Sequence, residues 1–109
     1  MSLDVTKIAS DMLSAAANAG KTEWDKIKSV AINEIGQLAR NIVQTADAVA
    51  SGEMKPTTAR IVLEQSKNLT IALIASLAAL AAAAILKIVD AALNVVKSAV
   101  NAAAGFAIL

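Results

Sequence analysis

The side chains that could do chemistry in this chain are carboxylates, lysine ammonium groups and two guanidinium groups. The sequence contains no histidine and no cysteine. It therefore lacks the commonest general base, the commonest metal ligand and every thiolate nucleophile. The nine acidic residues are scattered without a partner pattern, and no glycine-rich phosphate loop is present. We therefore expect no catalytic residue, no bound cofactor, no metal site and no small-molecule substrate, and we predict that the chain is not an enzyme.

Charged residues become sparse in the second half of the chain, where Lys87, Asp90 and Lys97 stand among apolar residues. Ionisable groups of this kind are functional candidates when they lie at membrane depth, because their burial in lipid is costly. The simpler interpretation is an ion pair between Lys87 and Asp90, which lie three residues apart on one helix. We favour the simpler interpretation.

The overall composition narrows the possible partners. A chain of 109 residues is a single domain, here taken as residues 1–109. Its net charge is +1, so it lacks the basic excess typical of nucleic-acid binding. Hydrophobic residues make up 57% of the chain, about a quarter of all residues are alanine, and aromatic residues are only 2%. We therefore expect close packing between alanine-lined helices.

These residues are expected to lie on three helices, so the fold class is predicted to be all-α. The first helix is predicted at about 4–19, capped by Ser2 or Asp4 and stopped by Gly20. The second is predicted at 22–50 and the third at 57–104, with a chain reversal at 51–56. That reversal contains Gly52 and Pro56, which suit a helix C-terminus and a first helical position.

The second predicted helix has an apolar seam with alternating steps of four and three residues, as in coiled coils. We expect this seam to form the packing surface within the chain. Its predicted members are Ala31, Ile35, Leu38, Ile42 and Val49.

The third predicted helix has no breaker between residues 57 and 104 and consists largely of strong helix formers. At about 1.5 Å per residue it would be roughly 72 Å long, and the first two helices end to end would be nearly as long. The matching lengths favour a long antiparallel hairpin, with a joint near Gly20. The alternative is a break near Asn68 or Lys87, which would give a compact four-helix bundle.

Residues 68–86 include no charged side chain. This apolar strip is long enough to cross a bilayer, but its alanines make insertion only marginally favourable. The other interpretation is a helix buried by its own chain or by neighbouring copies, since small residues allow close helix contact. One hairpin would leave such a strip half uncovered, which predicts association with a further surface.

We therefore predict a structural or assembly protein that self-associates through its alanine-rich helix. Membrane association or a virion-like or pilus-like assembly is favoured, and a pore-forming or holin-like role is also consistent. The expected partner is further copies of the chain, with lipid as a second partner, and the cellular compartment is not specified. The alternatives are a soluble helical module that docks on another protein and a coat on a lipid or granule surface. The predicted assembly or membrane face comprises Ile71, Leu73, Ile74, Leu77, Leu80, Ala84, Ile85, Val89, Leu93, Val96 and Val100.

Overall fold

The first helix begins at an aspartate cap, as the sequence predicts. In the computed structural model, which describes residues 3–109, helix α1 spans Val5–Gly20. The Asp4 carboxylate accepts a hydrogen bond from the Thr6 amide at 2.9 Å, which satisfies an otherwise unpaired amide of the first turn. Ser2, the other predicted cap, lies outside the described residues.

The predicted stop at Gly20 is displaced by one residue. Gly20 is the last residue of α1. The positive φ that we expected at this glycine occurs instead at Lys21, where φ is 49°. A Cβ on Gly20 would lie 3.2 Å from the Ile88 side chain. The glycine therefore serves close helix packing, while the turn itself is made by a lysine.

Helix α2 spans Thr22–Ala50 and is followed by the predicted reversal. Gly52 has a φ of 82°, and its amide donates to the Val49 carbonyl. Helix α3 spans Pro56–Ala78 and begins at a proline, whose missing N–H group is not needed in the first turn. The chain thus leaves α2 after Ala50 and enters α3 at Pro56, within the range 51–56 predicted for the reversal.

The prediction of one continuous helix over 57–104 is wrong. Helix α3 ends at Ala78, Ala79 adopts the left-handed conformation with φ 56°, and helix α4 spans Ala82–Ala104. The break falls inside the uncharged strip, at neither of the two positions considered from the sequence. The longest dimension of the Cα trace is 40 Å, too short for the predicted hairpin. Folding back buries the apolar face of α4. The free energy gained by this burial exceeds the helix propensity lost at residues 79–81.

The predicted end-to-end joint between the first two helices is also wrong. The turn at Lys21 reverses the chain, so that residues 5–14 of α1 share a groove with Gly36 and Arg40 of α2. Consecutive helices are therefore antiparallel neighbours, and α1 also packs closely on α4. Helices α1 and α3 lie diagonally opposite, and their backbones do not approach each other closely. The all-α prediction is confirmed, in the form of a four-helix bundle within the described residues.

The core lies between all four helices. Its largest fully buried side chains are Met12, Ile27, Ile35, Leu38, Ile42, Ile74, Ile85, Ile88, Val89, Val96 and Val100. The solvent-accessible surface is 5937 Å². A compact monomer of this mass is expected to expose about 5,700 Å². The single chain is therefore about as compact as expected for a folded monomer of its mass.

Candidate functional site

The residues predicted for the intrachain seam all lie inside the bundle. Ala31, Ile35, Leu38, Ile42 and Val49 are buried. Their alternating spacing keeps them on one side of α2, and α1, α3 and α4 all pack against this helix. Helix α2 is thus the element around which the other helices are arranged.

The residues predicted for the assembly or membrane face do not form one surface. Six of the eleven are buried in the chain's own core, namely Ile71, Ile74, Ile85, Val89, Val96 and Val100. Leu80, Ala84 and Leu93 are half-buried. Only Leu73 and Leu77 are exposed. The break at Ala79 explains the burial of the four α4 residues, because it turns that helix back onto α1 and α2.

An exposed apolar stripe runs along the outside of α3. It comprises Leu69, Leu73 and Leu77, which are 60%, 37% and 64% exposed, and we call it the outer stripe. Residues four apart on an α-helix differ by only about 40° in direction, so the three leucines point to the same side. Ala72 and Ser76, which lie between them, are exposed as well. The stripe is therefore free of charge over its whole length.

Two exposed apolar residues of α3 were missed from the sequence, Ile61 and Leu69. Their signal was the spacing of four residues that links positions 61, 65, 69, 73 and 77 along one helix. Because one continuous helix was predicted over 57–104, the packing surface was assigned to the centre of the uncharged strip and not to the outer side of α3. Only the positions of α2 and α4 identify which side of α3 stays uncovered.

Helix α3 combines an apolar composition with low burial. Its 23 residues include an 18-residue window with mean hydropathy 1.2, which is long and apolar enough to cross a membrane. Only 17% of that window is buried inside the protein. A core helix of a soluble protein passes the same hydropathy test but is mostly buried. By length and composition alone, α3 is thus one possible membrane-spanning helix in the described chain.

Several charged residues of the second half border a groove between α3 and α4, which none of the outer-stripe leucines lines. Lys67 on α3 forms an ion pair with Asp90 on α4, with 2.9 Å between Nζ and Oδ1. The predicted pair between Lys87 and Asp90 is therefore replaced by a contact between two helices. Lys97 and Arg60 border the same groove of about 290 Å³ between α3 and α4.

The C-terminal residues are held against this groove. The Asn101 side-chain oxygen accepts hydrogen bonds from the amides of Ile108 and Leu109, each at 2.9 Å. Ile108 is buried, and Phe106 remains exposed beyond the left-handed Gly105. Through Asn101, the last residues become part of the bundle.

The ionisable side chains of the described residues are dispersed over the bundle. Within residues 3–109, no three His, Cys, Asp or Glu side chains come together where a metal ion could bind. The acidic side chains that are paired contact lysines, as in Lys7 with Asp11 at 3.2 Å. Such exposed ion pairs are typical of a solvated helix face.

Comparisons with protein-family models, with curated proteins and with solved structures found no match for this chain.

Proposed function

We propose that this protein is a non-enzymatic association module whose outer stripe on α3 binds further copies of the chain. The observation that carries the proposal is the outward display of Leu69, Leu73 and Leu77 on one uncharged side of a helix. Contiguous exposed apolar residues of this kind normally mark interaction surfaces. A second α3 packed against the first would cover both stripes at once, as in an isologous dimer.

The size of the stripe predicts weak and reversible pairing. The exposed fractions of the three leucines add up to the area of between one and two fully exposed leucine side chains. Covering them yields about 2–5 kcal/mol per copy, or about 5–10 kcal/mol per pair. Association costs about 4–15 kcal/mol in lost freedom of motion. A lone pair of stripes is therefore barely stable, and assembly is expected to need high concentration or several simultaneous contacts.

A double substitution tests the proposal. Leu69→Lys with Leu77→Lys places two charges on the outer stripe, where they would repel those of a second copy. The matched control is Ile32→Lys with Val95→Lys, because these residues are 50% and 54% exposed on α2 and α4. Sedimentation velocity across the micromolar to millimolar range should show concentration-dependent association for the wild type and the control, and a monomer for the stripe variant. A wild type that stays monomeric throughout, or equal loss in both variants, would contradict the proposal.

A second candidate function is insertion of α3 into a membrane. The observation that favours it is the low burial of a helix with the hydropathy of a membrane span. Arg60, Glu64 and Lys67 occupy the first half of α3, so the uncharged second half would enter the lipid first. Flotation with neutral phosphatidylcholine vesicles should then recover the wild type and the Ile32→Lys/Val95→Lys control with the lipid, and leave the stripe variant in solution. Binding of all three proteins, or of none, would count against membrane insertion.

A further inference from the structure

The turn between α3 and α4 is built from residues that prefer to be helical. Residues 77–84 read Leu-Ala-Ala-Leu-Ala-Ala-Ala-Ala, and Ala79 within them adopts φ 56° and ψ 38°. An L-residue other than glycine is disfavoured in this left-handed region by about five- to thirtyfold. Alanine is also the strongest helix former. The backbone of the turn is therefore strained at Ala79, and a helical conformation at that residue would relieve the strain.

The helix ends at this turn lack the usual stabilising groups. Helix α4 begins after Ala81 with no side-chain hydrogen bond to its first amides, and Ala79 stands where a glycine usually ends a helix. The turn is closed only by backbone bonds, among them the Leu80 amide to the Ala75 carbonyl at 3.2 Å. All of these amides would find regular partners in a straight helix.

The closed turn is maintained by the packing of α4 on the rest of the bundle. Helix α4 packs mainly against α1 and also against α2, and its packing against α3 is the least extensive. The buried side chains of Ile85, Ile88 and Val89 lie just beyond the turn and require that surface. The same surface is present on every other copy of the chain.

We propose that two copies of the chain exchange α4, so that each α4 packs against α1, α2 and α3 of the other copy. Residues 79–81 become helical in this dimer and join α3 to α4. The contacts of α4 with the other three helices are formed again between copies, including the ion pair of Lys67 with Asp90. The strain at Ala79 is released, and a short strained hinge is the feature that favours such exchange. The exchange goes beyond the proposed function, because it does not use the outer stripe.

Glycine at the hinge tests the exchange. Ala79→Gly accepts the positive φ of the monomer and weakens the continuous helix of the dimer. Because the dimer contains two hinges, its formation constant should fall by about 25- to 900-fold, which is the square of the five- to thirtyfold preference at one hinge. The matched control is Ala99→Gly, an exposed position inside α4 in both forms, which should leave that constant within a fewfold. The proteins are refolded at high concentration and their monomer and dimer fractions are separated by size-exclusion chromatography with light scattering.

A distance measurement identifies the exchanged form directly. Arg60 and Lys97 line one groove in the folded monomer, but lie about 55 Å apart along a straight helix. The chain has no cysteine, so Arg60→Cys with Lys97→Cys allows two spin labels per chain. Labelled chain is refolded with excess unlabelled wild type, and the dimer fraction is isolated.

An intrachain distance near 55 Å in that dimer supports the exchange. A short distance, or the absence of any dimer after refolding at high concentration, overturns it. The Leu69→Lys/Leu77→Lys variant should still form the exchanged dimer, whereas Ala79→Gly should retain association through the outer stripe. Failure of the α4 exchange is therefore distinguishable from failure of association through the outer stripe.

Discussion

Lys67 and Asp90 connect α3 to α4 through an ion pair with 2.9 Å between Nζ and Oδ1. Lys67 directly precedes the uncharged strip of residues 68–86, and Asp90 follows it by four residues. The pair therefore links the middle of α3 to the first half of α4 across the helical hairpin that the two helices form. Lys87, which is nearer to Asp90 in sequence, is exposed instead.

Removing this ion pair should lower stability modestly. The side chains are 22% and 45% exposed, so solvent screens their attraction. We expect a coupling free energy of about 0.5–1 kcal/mol between Lys67→Ala and Asp90→Ala in a double-mutant cycle. Urea denaturation of the two single variants and the double variant measures this coupling. The control Lys87→Ala should show no coupling to Asp90→Ala, and a coupling as large as that of Lys67 would contradict the assignment.

Two glycines within helices should respond differently to alanine. A Cβ on Gly36 meets nothing within 4 Å, so Gly36→Ala should stabilise the protein by about 0.5–1 kcal/mol through its helix propensity. A Cβ on Gly20 would lie 3.2 Å from Ile88 Cδ1 and 3.3 Å from Trp24 Cβ. Gly20→Ala should therefore gain less or lose stability, since crowding in a packed region opposes the propensity gain. Thermal denaturation compares the two, and equal increases in Tm would refute close packing at Gly20.

Asn101 should matter more than a typical surface asparagine. Asn101→Ala removes the acceptor of two amide hydrogen bonds, each contributing about 0.5–1.5 kcal/mol. We expect a loss of about 1–3 kcal/mol together with faster amide exchange at Ile108 and Leu109. Asn94→Ala, an exposed position on the same helix, serves as the control and should change stability by no more than about 0.5 kcal/mol. Unchanged exchange at Ile108 in Asn101→Ala would contradict the role of this side chain.

Two isoleucines on α2 separate core from surface. Ile35 is fully buried, whereas Ile32 is half exposed. Ile35→Ala should lower the free energy of unfolding by about 2–5 kcal/mol, because the removed atoms leave a cavity. Ile32→Ala makes no cavity and should cost less than about 1 kcal/mol. Chemical denaturation measures both losses of stability. A similar loss at the two positions would show that the buried side of α2 is assigned incorrectly.

Local patterns were sufficient for α1, α2 and the reversal before α3. Asp4 and Pro56 have the side-chain chemistry that helix ends require, and both act through neighbours only a few residues away. The seam through Ile35 and Ile42 was likewise predictable, because helical periodicity places such residues on one side whatever they pack against.

The candidate site was less predictable. Leu73 and Leu77 were among the residues predicted for an association surface, and they are exposed. Ile85 and Val89 were predicted for the same surface and are buried. Residues of the same apolar character differ in exposure because exposure depends on which helices lie alongside. The residues next to them in the sequence do not indicate which helices these are.

Local residue patterns are enough to establish that the chain is helical, where α1 and α2 begin, and which side of α2 faces the core. Propensity, capping and periodicity act over a few residues, so they can be recognised along the chain. The break of the alanine-rich run at Ala79 and the return of α4 onto α1 and α2 depend instead on tertiary packing. No residue in that run prevents a helix, so the break results from the burial of Ile85, Ile88 and Val89 against distant partners.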